Sequence, residues 1–358
     1  MEQKIIPQKQ SKPRQSNIEL LRIVSMALII AAHLSYWGGA FYHTEGMNKI
    51  FSSLFICGGK LGVALFVMIG SNFMAQRTVS FKGVFRLFLT MMLVHALCTV
   101  AMHFAGEQVS FKSIINPFYK AWFVYVYIWL MLVSPWLNKF SNLMNFKAHR
   151  NLCIVLTLIC AVYPTLVFAE SNNLFNQFVW FVYLYILMNF FLKYKSECLP
   201  KQIRNFFVRY QIGTYIFVTW GGYAFMAYMC MISDKFFPLR NSGSIIMLLV
   251  ALCVFGLFYS LKMNHSSLVN WIAKGTFVAY LVHDDGYVRN FLWMKLIKCD
   301  QWYDSQMFFA YGVLAVLGIL LIGGIMTVLV DKAIMFLLNE TILNKIIVKL
   351  DRIIFAGV

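Results

Sequence analysis

Two ionisable side chains in the first apolar stretch have the types and spacing that chemistry requires. The stretch 17–37 reads NIELLRIVSMALIIAAHLSYW and carries Arg22 near its start and His33 well inside. Their separation of eleven residues is about three helical turns, which places both side chains on one face, roughly 16 Å apart along the axis. A neutral imidazole exchanges protons near neutral pH, and ionisable groups inside an apolar span usually line a cavity with a function.

Each member of this pair also has a simpler interpretation. Arg22 is compatible with a positive residue that snorkels to the membrane edge, and His33 with a buried imidazole bonded to a neighbouring helix. Glu19, three residues before Arg22, either pairs with it or serves as a helix-start carboxylate at the positive end of the helix dipole. Because Arg22 and His33 share a face, the functional interpretation gains weight over both simpler ones.

A second group of candidates is the run His283-Asp284-Asp285 with Arg289 four residues later. Carboxylates in an apolar span are costly unless they are paired or hydrated. Adjacent residues cannot share a helix face, so we expect one carboxylate to turn towards His33 or His283 and the other towards Arg289 or solvent. The cluster therefore predicts either a site that orients the histidine and binds an acceptor, or the end of a water-exposed vestibule. A metal site needs three or four converging ligands, and we expect none.

The elements that must position these residues are membrane-spanning helices. Of the 358 residues, 60% are hydrophobic and only 13% are charged, and mean hydropathy is +0.69. The apolar residues form long blocks, which is typical of a polytopic all-α membrane protein and not of a β-barrel. We therefore expect about ten transmembrane helices around a polar central cavity. The expected spans are 17–37, 55–75, 85–105, 120–137, 151–169, 174–192, 211–231, 244–262, 271–291 and 307–336.

The distribution of Lys and Arg predicts the orientation of these spans. With the N-terminus in the cytoplasm, the inside segments hold 20 of these cations and the outside segments hold 8. Both termini are therefore expected inside, with 1–16 as a basic tail without a cleavage site, 17–338 as the membrane domain and 339–358 as an amphipathic segment. The net charge of +17 is explained by this topology and by anionic lipid, so nucleic acid is not an expected partner.

The first span resembles that of a known enzyme family. Its pattern of a basic residue, ten residues and then a histidine is met by Arg22 and His33, and is the signature of the acyltransferase family 3 membrane O-acyltransferases. Three further segments resemble the family in order and spacing, up to the last span. They are GGKLGVALFVMIGSNFM from Gly58, AWFVYVYIWLMLVSPWL from Ala121 and KGTFVAYLVHDDG from Lys274.

The resemblance implies transfer of an acyl group, expected to be acetyl, from cytoplasmic acyl-CoA to a hydroxyl of a cell-envelope glycan in the bacterial inner membrane. Membrane lipids, acetyl-CoA or another acyl-CoA, and an envelope glycan or lipid-linked oligosaccharide are then the expected partners. Arginine binds phosphate bidentately, so the expected donor-binding residues are Arg22, Arg77, Lys82 and Arg86. The expected catalytic residues are His33, His283 and Asp284, with His33 as general base or brief acyl carrier. The expected acceptor-binding residues are Tyr36, Trp37, Trp122, Asp285 and Arg289.

Two other function classes fit a polytopic chain. A transporter or flippase of a lipid-linked glycan often shows inverted repeats with paired Gly or Pro interruptions, and no matching halves are found here. A non-catalytic membrane scaffold or sensor does not account for Arg22 and His33 on one face, nor for the cluster at His283.

Overall fold

The computed structural model describes residues 14–76, 79–115, 121–169, 173–194, 201–339 and 341–355. Side chains are described for these residues except those of 115, 201–210, 234, 339 and 341–343. Within these ranges the chain is helical with no strand, as the long apolar blocks predict.

Eleven principal helices follow one another in the described part of the chain. Their bounds are α1 Ser16–Tyr36, α2 Gly46–Met74, α3 Phe81–Phe104, α4 Trp122–Leu143, α5 Phe146–Leu166, α6 Leu174–Tyr194, α7 Lys201–Ile232, α8 Ile245–Ser260, α9 Ser267–His283, α10 Phe308–Asn339 and α11 Thr341–Ile354. Nine segments of the described chain are long and apolar enough to cross a membrane. They are α1 to α6, the C-terminal part of α7, α8 with the 3₁₀ helix before it, and α10. The chain is therefore an all-α polytopic membrane protein.

The expected span 271–291 is wrong at its C-terminal end, because α9 stops after 17 residues at His283. The carboxylate of Asp285 accepts a hydrogen bond from the backbone N–H of Tyr287 at 2.9 Å, which turns the chain and starts a new helical segment at Val288. A side chain that captures a backbone N–H just beyond a helix ends that helix, whatever the apolarity of the following residues. The apolar run therefore continues as short helical segments through Leu296.

Helix α1 lies at the centre of the bundle and packs most extensively against α2, with further contacts to α8, α9 and α10. Glycines of α2 allow this close approach. A Cβ added at Gly58 would lie 2.9 Å from the backbone O of Leu28, and one at Gly62 would overlap the backbone O of Ser25. Small residues at a helix interface are the usual means of tight packing in membranes. The packing fixes the height of α2 residues relative to His33.

The last helix, α11, is amphipathic and lies against α3. Its Asp351 accepts a hydrogen bond from the backbone N–H of Phe81, the first residue of α3, at 2.6 Å. Ile347 is buried, whereas Ile346 and Ile353 are exposed. An exposed apolar edge beside Lys345, Lys349 and Arg352 is the pattern of a helix that lies in a lipid interface.

Candidate active site

Two histidines from different helices meet near the end of α1. The Nδ1 of His33 lies 3.0 Å from the Nε2 of His283, and the Nδ1 of His283 lies 2.6 Å from the backbone O of Ala279. A carbonyl oxygen only accepts, so the Nδ1 of His283 carries a proton, and in the neutral ring its Nε2 accepts. The Nδ1 of His33 is then the donor to His283, and the Nε2 of His33 is left unprotonated. That nitrogen has no hydrogen-bond partner among the described residues.

Asp284 stands beside this pair and links it to a cation. Its Oδ1 is 3.6 Å from the Nδ1 of His33 and 3.8 Å from the Nη1 of Arg289. The guanidinium of Arg289 in turn stacks on the ring of Trp37 at 3.8 Å. A carboxylate next to Nδ1 favours the positive imidazolium that forms when Nε2 takes a proton. The arrangement can therefore support His33 as a base.

His33 faces a cavity of about 630 Å³ between α1, α2, α4 and the 3₁₀ helix Asp234–Arg240. The predicted acceptor-binding residues Tyr36, Trp37 and Trp122 line it. Two cations that the sequence analysis did not select, Lys60 of α2 and Arg240 of the 3₁₀ helix, also line it. The cavity is large enough for a sugar and is bounded by aromatic faces and polar groups, as ligand sites usually are.

Arg22 faces a second cavity, of about 250 Å³, at the other end of the shared face of α1. Its Nη1 contacts the carboxylate of Glu19 at 2.8 Å, the pair that the spacing predicts. Arg14 and Lys274 line the same cavity, so three cations converge there. Aromatic residues also line it, including Tyr127.

Two of the other predicted donor-binding residues, Lys82 and Arg86, do not line this cavity. Arg86 forms an ion pair with Asp331 of α10 at 2.7 Å, and Lys82 is exposed on α3. Arg77 lies outside the described residues. In place of these loop cations, the structure assembles Arg14 and Lys274 next to Arg22. No local pattern predicts this grouping, because Lys274 lies far along the chain from Arg14 and Arg22.

Aromatic rings separate the two cavities. Phe66 and Phe123 line the cavity of Arg22, whereas Trp122 and Tyr280 line the cavity of His33. The rings of Phe123 and Tyr280 meet edge to face with centroids 5.5 Å apart. The contact of Phe123 with Tyr280 therefore joins the wall of one cavity to the wall of the other.

Asp285 points away from the cavity of His33. Its Oδ2 lies 2.5 Å from the Nδ1 of His95 on α3, and its Oδ1 accepts from the backbone at Tyr287. His95 also lies 3.3 Å from the hydroxyl of Ser113. Asp284 and Asp285 thus face different directions, as expected for neighbours, and Asp285 bonds to structural partners. His95 lies outside the residues predicted from the sequence, because a single histidine on an apolar helix carries no distinguishing pattern.

Comparison with known proteins identifies the family. No curated protein and no solved structure matches this chain. The profile of a family described as an acyltransferase domain, acyltransferase family 3, matches residues 15–328. The match begins just before α1, ends within α10 and covers most of the chain. It includes Arg22, His33 and the cluster at His283. The protein therefore belongs to acyltransferase family 3.

Proposed function

We propose that this membrane acyltransferase moves an acyl group, with acetyl expected, from acyl-CoA to a hydroxyl of a cell-envelope glycan. The protein lies in the bacterial inner membrane with both termini in the cytoplasm, so Arg22 is on the cytoplasmic side and His33 is towards the outer side. The excess of Lys and Arg in the segments assigned to the inside supports this orientation.

The observation that carries the proposal is the chain of contacts from Ala279 through His283 to His33. It leaves the Nε2 of His33 free to take the proton of an acceptor hydroxyl as the oxygen attacks the thioester carbonyl. When the tetrahedral intermediate collapses, the C–S bond breaks, and the imidazolium returns its proton to the CoA thiolate. Asp284 stabilises the imidazolium between these steps.

The cavity of Arg22 is suited to the donor. Arg14, Arg22 and Lys274 offer positive charge to the phosphates of CoA, and arginine binds phosphate through two parallel N–H groups. The axial rise between Arg22 and His33 is roughly 16 Å, which is of the same order as a pantetheine arm. The thioester then reaches His33 while the nucleotide stays at the cytoplasmic side.

Mass spectrometry of envelope glycans tests the proposal. Glycans from cells that contain the wild-type protein should carry an acyl mass that is absent when the protein is deleted. His33→Ala should abolish that mass while the protein remains in the membrane, because the base is removed. His103→Ala is the matched control, since His103 is an exposed imidazole on α3 outside the cavity, and it should retain full acylation.

Two results would contradict the proposal. One is wild-type acylation by His33→Ala. The other is a deletion strain that exports no glycan but still carries the acyl group on its intracellular glycan. That result would identify the deleted protein as a flippase.

A further inference from the structure

Two cations in the cavity of His33 have no anionic partner among the described side chains. Lys60 extends from α2 with its Nζ 4.1 Å from the ring of Trp122. Arg240 ends the 3₁₀ helix with its guanidinium 4.8 Å from the ring of Phe237, and its Nε is buried without a hydrogen-bond partner. Both side chains are half-buried, and no Asp or Glu of the described chain lines this cavity.

Four other cations near the two cavities are held in ion pairs, whereas Arg14, which lines the other cavity, contacts the backbone O of Asn270. Arg22 pairs with Glu19, Arg289 with Asp284, and both Arg86 and Lys274 with Asp331. An unpaired positive charge in a low-dielectric site is unfavourable, and a cation–π contact with one ring each offsets only part of that cost. A site that keeps two such charges is organised for an anion that arrives with a ligand.

We propose that Lys60 and Arg240 bind an anionic group of the acceptor, so that the acylated glycan is acidic. This proposal rests on the proposed function. The anion is a carboxylate or phosphate on the sugar repeat, or the diphosphate of a lipid carrier that holds the glycan. Trp37 and Trp122 provide flat apolar faces for the sugar rings next to it.

The position of these cations favours the acceptor over the donor. Lys60 and Arg240 share a cavity with His33, whereas Arg14, Arg22 and Lys274 lie beyond the rings of Phe123 and Tyr280. The phosphates of CoA need one cationic site, and the second cavity supplies it. The acceptor hydroxyl must lie within hydrogen-bond reach of His33, so the rest of the acceptor occupies the cavity that Lys60 and Arg240 line.

Steady-state kinetics with the purified full-length protein in detergent tests this assignment. The probes are radiolabelled acetyl-CoA as donor and envelope glycan extracted from a strain that lacks the protein as acceptor. Lys60→Gln and Arg240→Gln should each raise the KM for the glycan by about tenfold, because each removes one charge-assisted contact. The KM for acetyl-CoA should stay unchanged. Inorganic phosphate should compete with the glycan in the wild type and not in the double variant.

Two control variants show whether the rise in KM comes from loss of charge in the cavity. The alternatives are loss of charge elsewhere on the protein and misfolding. Lys235→Gln removes the same charge from an exposed position on the same 3₁₀ helix, and the KM for the glycan should not change. Lys60→Arg keeps the charge, and it should restore much of the affinity that Lys60→Gln loses. A variant that failed to fold would instead lose activity towards both substrates.

Mass spectrometry of the acylated glycan distinguishes the two sources of the anion. An acyl group on or beside a charged sugar of the polymer assigns the anion to the repeat, and acylation confined to the lipid diphosphate-linked glycan assigns it to the carrier. A neutral repeat on a neutral carrier would overturn the proposal, as would a rise in the KM for acetyl-CoA in the two variants. An acyl group that itself bears a carboxylate, placed on a neutral sugar, would overturn it too. In all three cases acyl transfer by His33 would stand, whereas absence of transfer by the wild type would reject both proposals.

Discussion

A backbone carbonyl sets the protonation of the candidate base. Because Ala279 accepts from the Nδ1 of His283, the second nitrogen of His283 accepts from His33, and the free nitrogen of His33 is the basic one. This logic resembles that of metal-bound histidines, in which the bond made by one ring nitrogen determines the role of the other. The amino-acid sequence shows that both histidines are present, but it does not show which nitrogens meet.

The two adjacent aspartates give a prediction at the residue scale. Asp284→Asn should lower kcat by about tenfold or more, because the imidazolium of His33 loses its nearest carboxylate. Asp285→Asn should leave kcat of the folded protein close to the wild-type value. It should lower the free energy of unfolding by about 1–3 kcal/mol, since it replaces the charged partner of buried His95. Transfer kinetics and thermal unfolding of both variants in detergent check this.

The reverse pattern would contradict these roles. If Asp284→Asn unfolded at a lower temperature without loss of kcat, Asp284 would be a structural residue. If Asp285→Asn lost kcat with unchanged stability, Asp285 would act on the substrates.

The sequence predicted the residues that lie on regular helices and missed those brought in by the tertiary fold. Arg22 and His33 could be paired because helical spacing fixes their relative positions. Lys60 and Arg240 could not be assigned to the site of His33 from the sequence. They lie on α2 and the 3₁₀ helix, which meet α1 through packing that no local pattern encodes. A lysine within a span is also explained as a snorkelling residue, so the sequence did not mark Lys60 as a site residue.

At the scale of elements, the apolar blocks located the long helices but not the turn after α9. Hydropathy averages over many residues, whereas one hydrogen bond from the backbone N–H of Tyr287 to the carboxylate of Asp285 ended that helix. Small residues permit close packing of membrane helices, and the structure places α1 against Gly58 and Gly62 of α2. The same packing sets Lys60 and His33 on facing sides of one cavity.

Close packing of α1 on α2 gives a prediction for Gly62. A methyl group there would lie 2.7 Å from the Cγ1 of Ile29 and would overlap the backbone O of Ser25. Gly62→Ala should therefore lower the free energy of unfolding by about 1–3 kcal/mol, because overpacking forces the helices apart. Thermal unfolding of the protein in detergent measures the change.

Gly318→Ala is the matched control, since nothing lies within 4 Å of a Cβ added there. It should be neutral or slightly stabilising, because alanine is the better helix former. Equal unfolding temperatures for the two variants would show that α1 and α2 can separate without cost.

At the scale of the whole molecule, the proposed mechanism assigns the donor to one cavity and the acceptor to the other. The cations of one cavity suit a nucleotide donor, and the other cavity presents His33 to an acceptor. The rings of Phe123 and Tyr280 stand between them. Under that mechanism these rings hold the thioester on the donor side, away from His33 and the water of the acceptor cavity, until an acceptor is bound, since excluding water prevents hydrolysis of a reactive donor.

Removal of one ring tests this division. Phe123→Ala should join the two cavities, so that the thioester reaches His33 and the water beside it before an acceptor is bound, and acyl-CoA is hydrolysed. Release of free CoA from acetyl-CoA in the absence of glycan, followed with a thiol reagent, should rise well above the wild-type rate. Phe175→Ala, which removes an exposed ring of α6, is the control and should leave that rate unchanged. The His33→Ala/Phe123→Ala double variant should lose the added hydrolysis, because the same base activates water and acceptor. An unchanged rate of CoA release in Phe123→Ala would mean that some other part of the molecule holds donor and water apart.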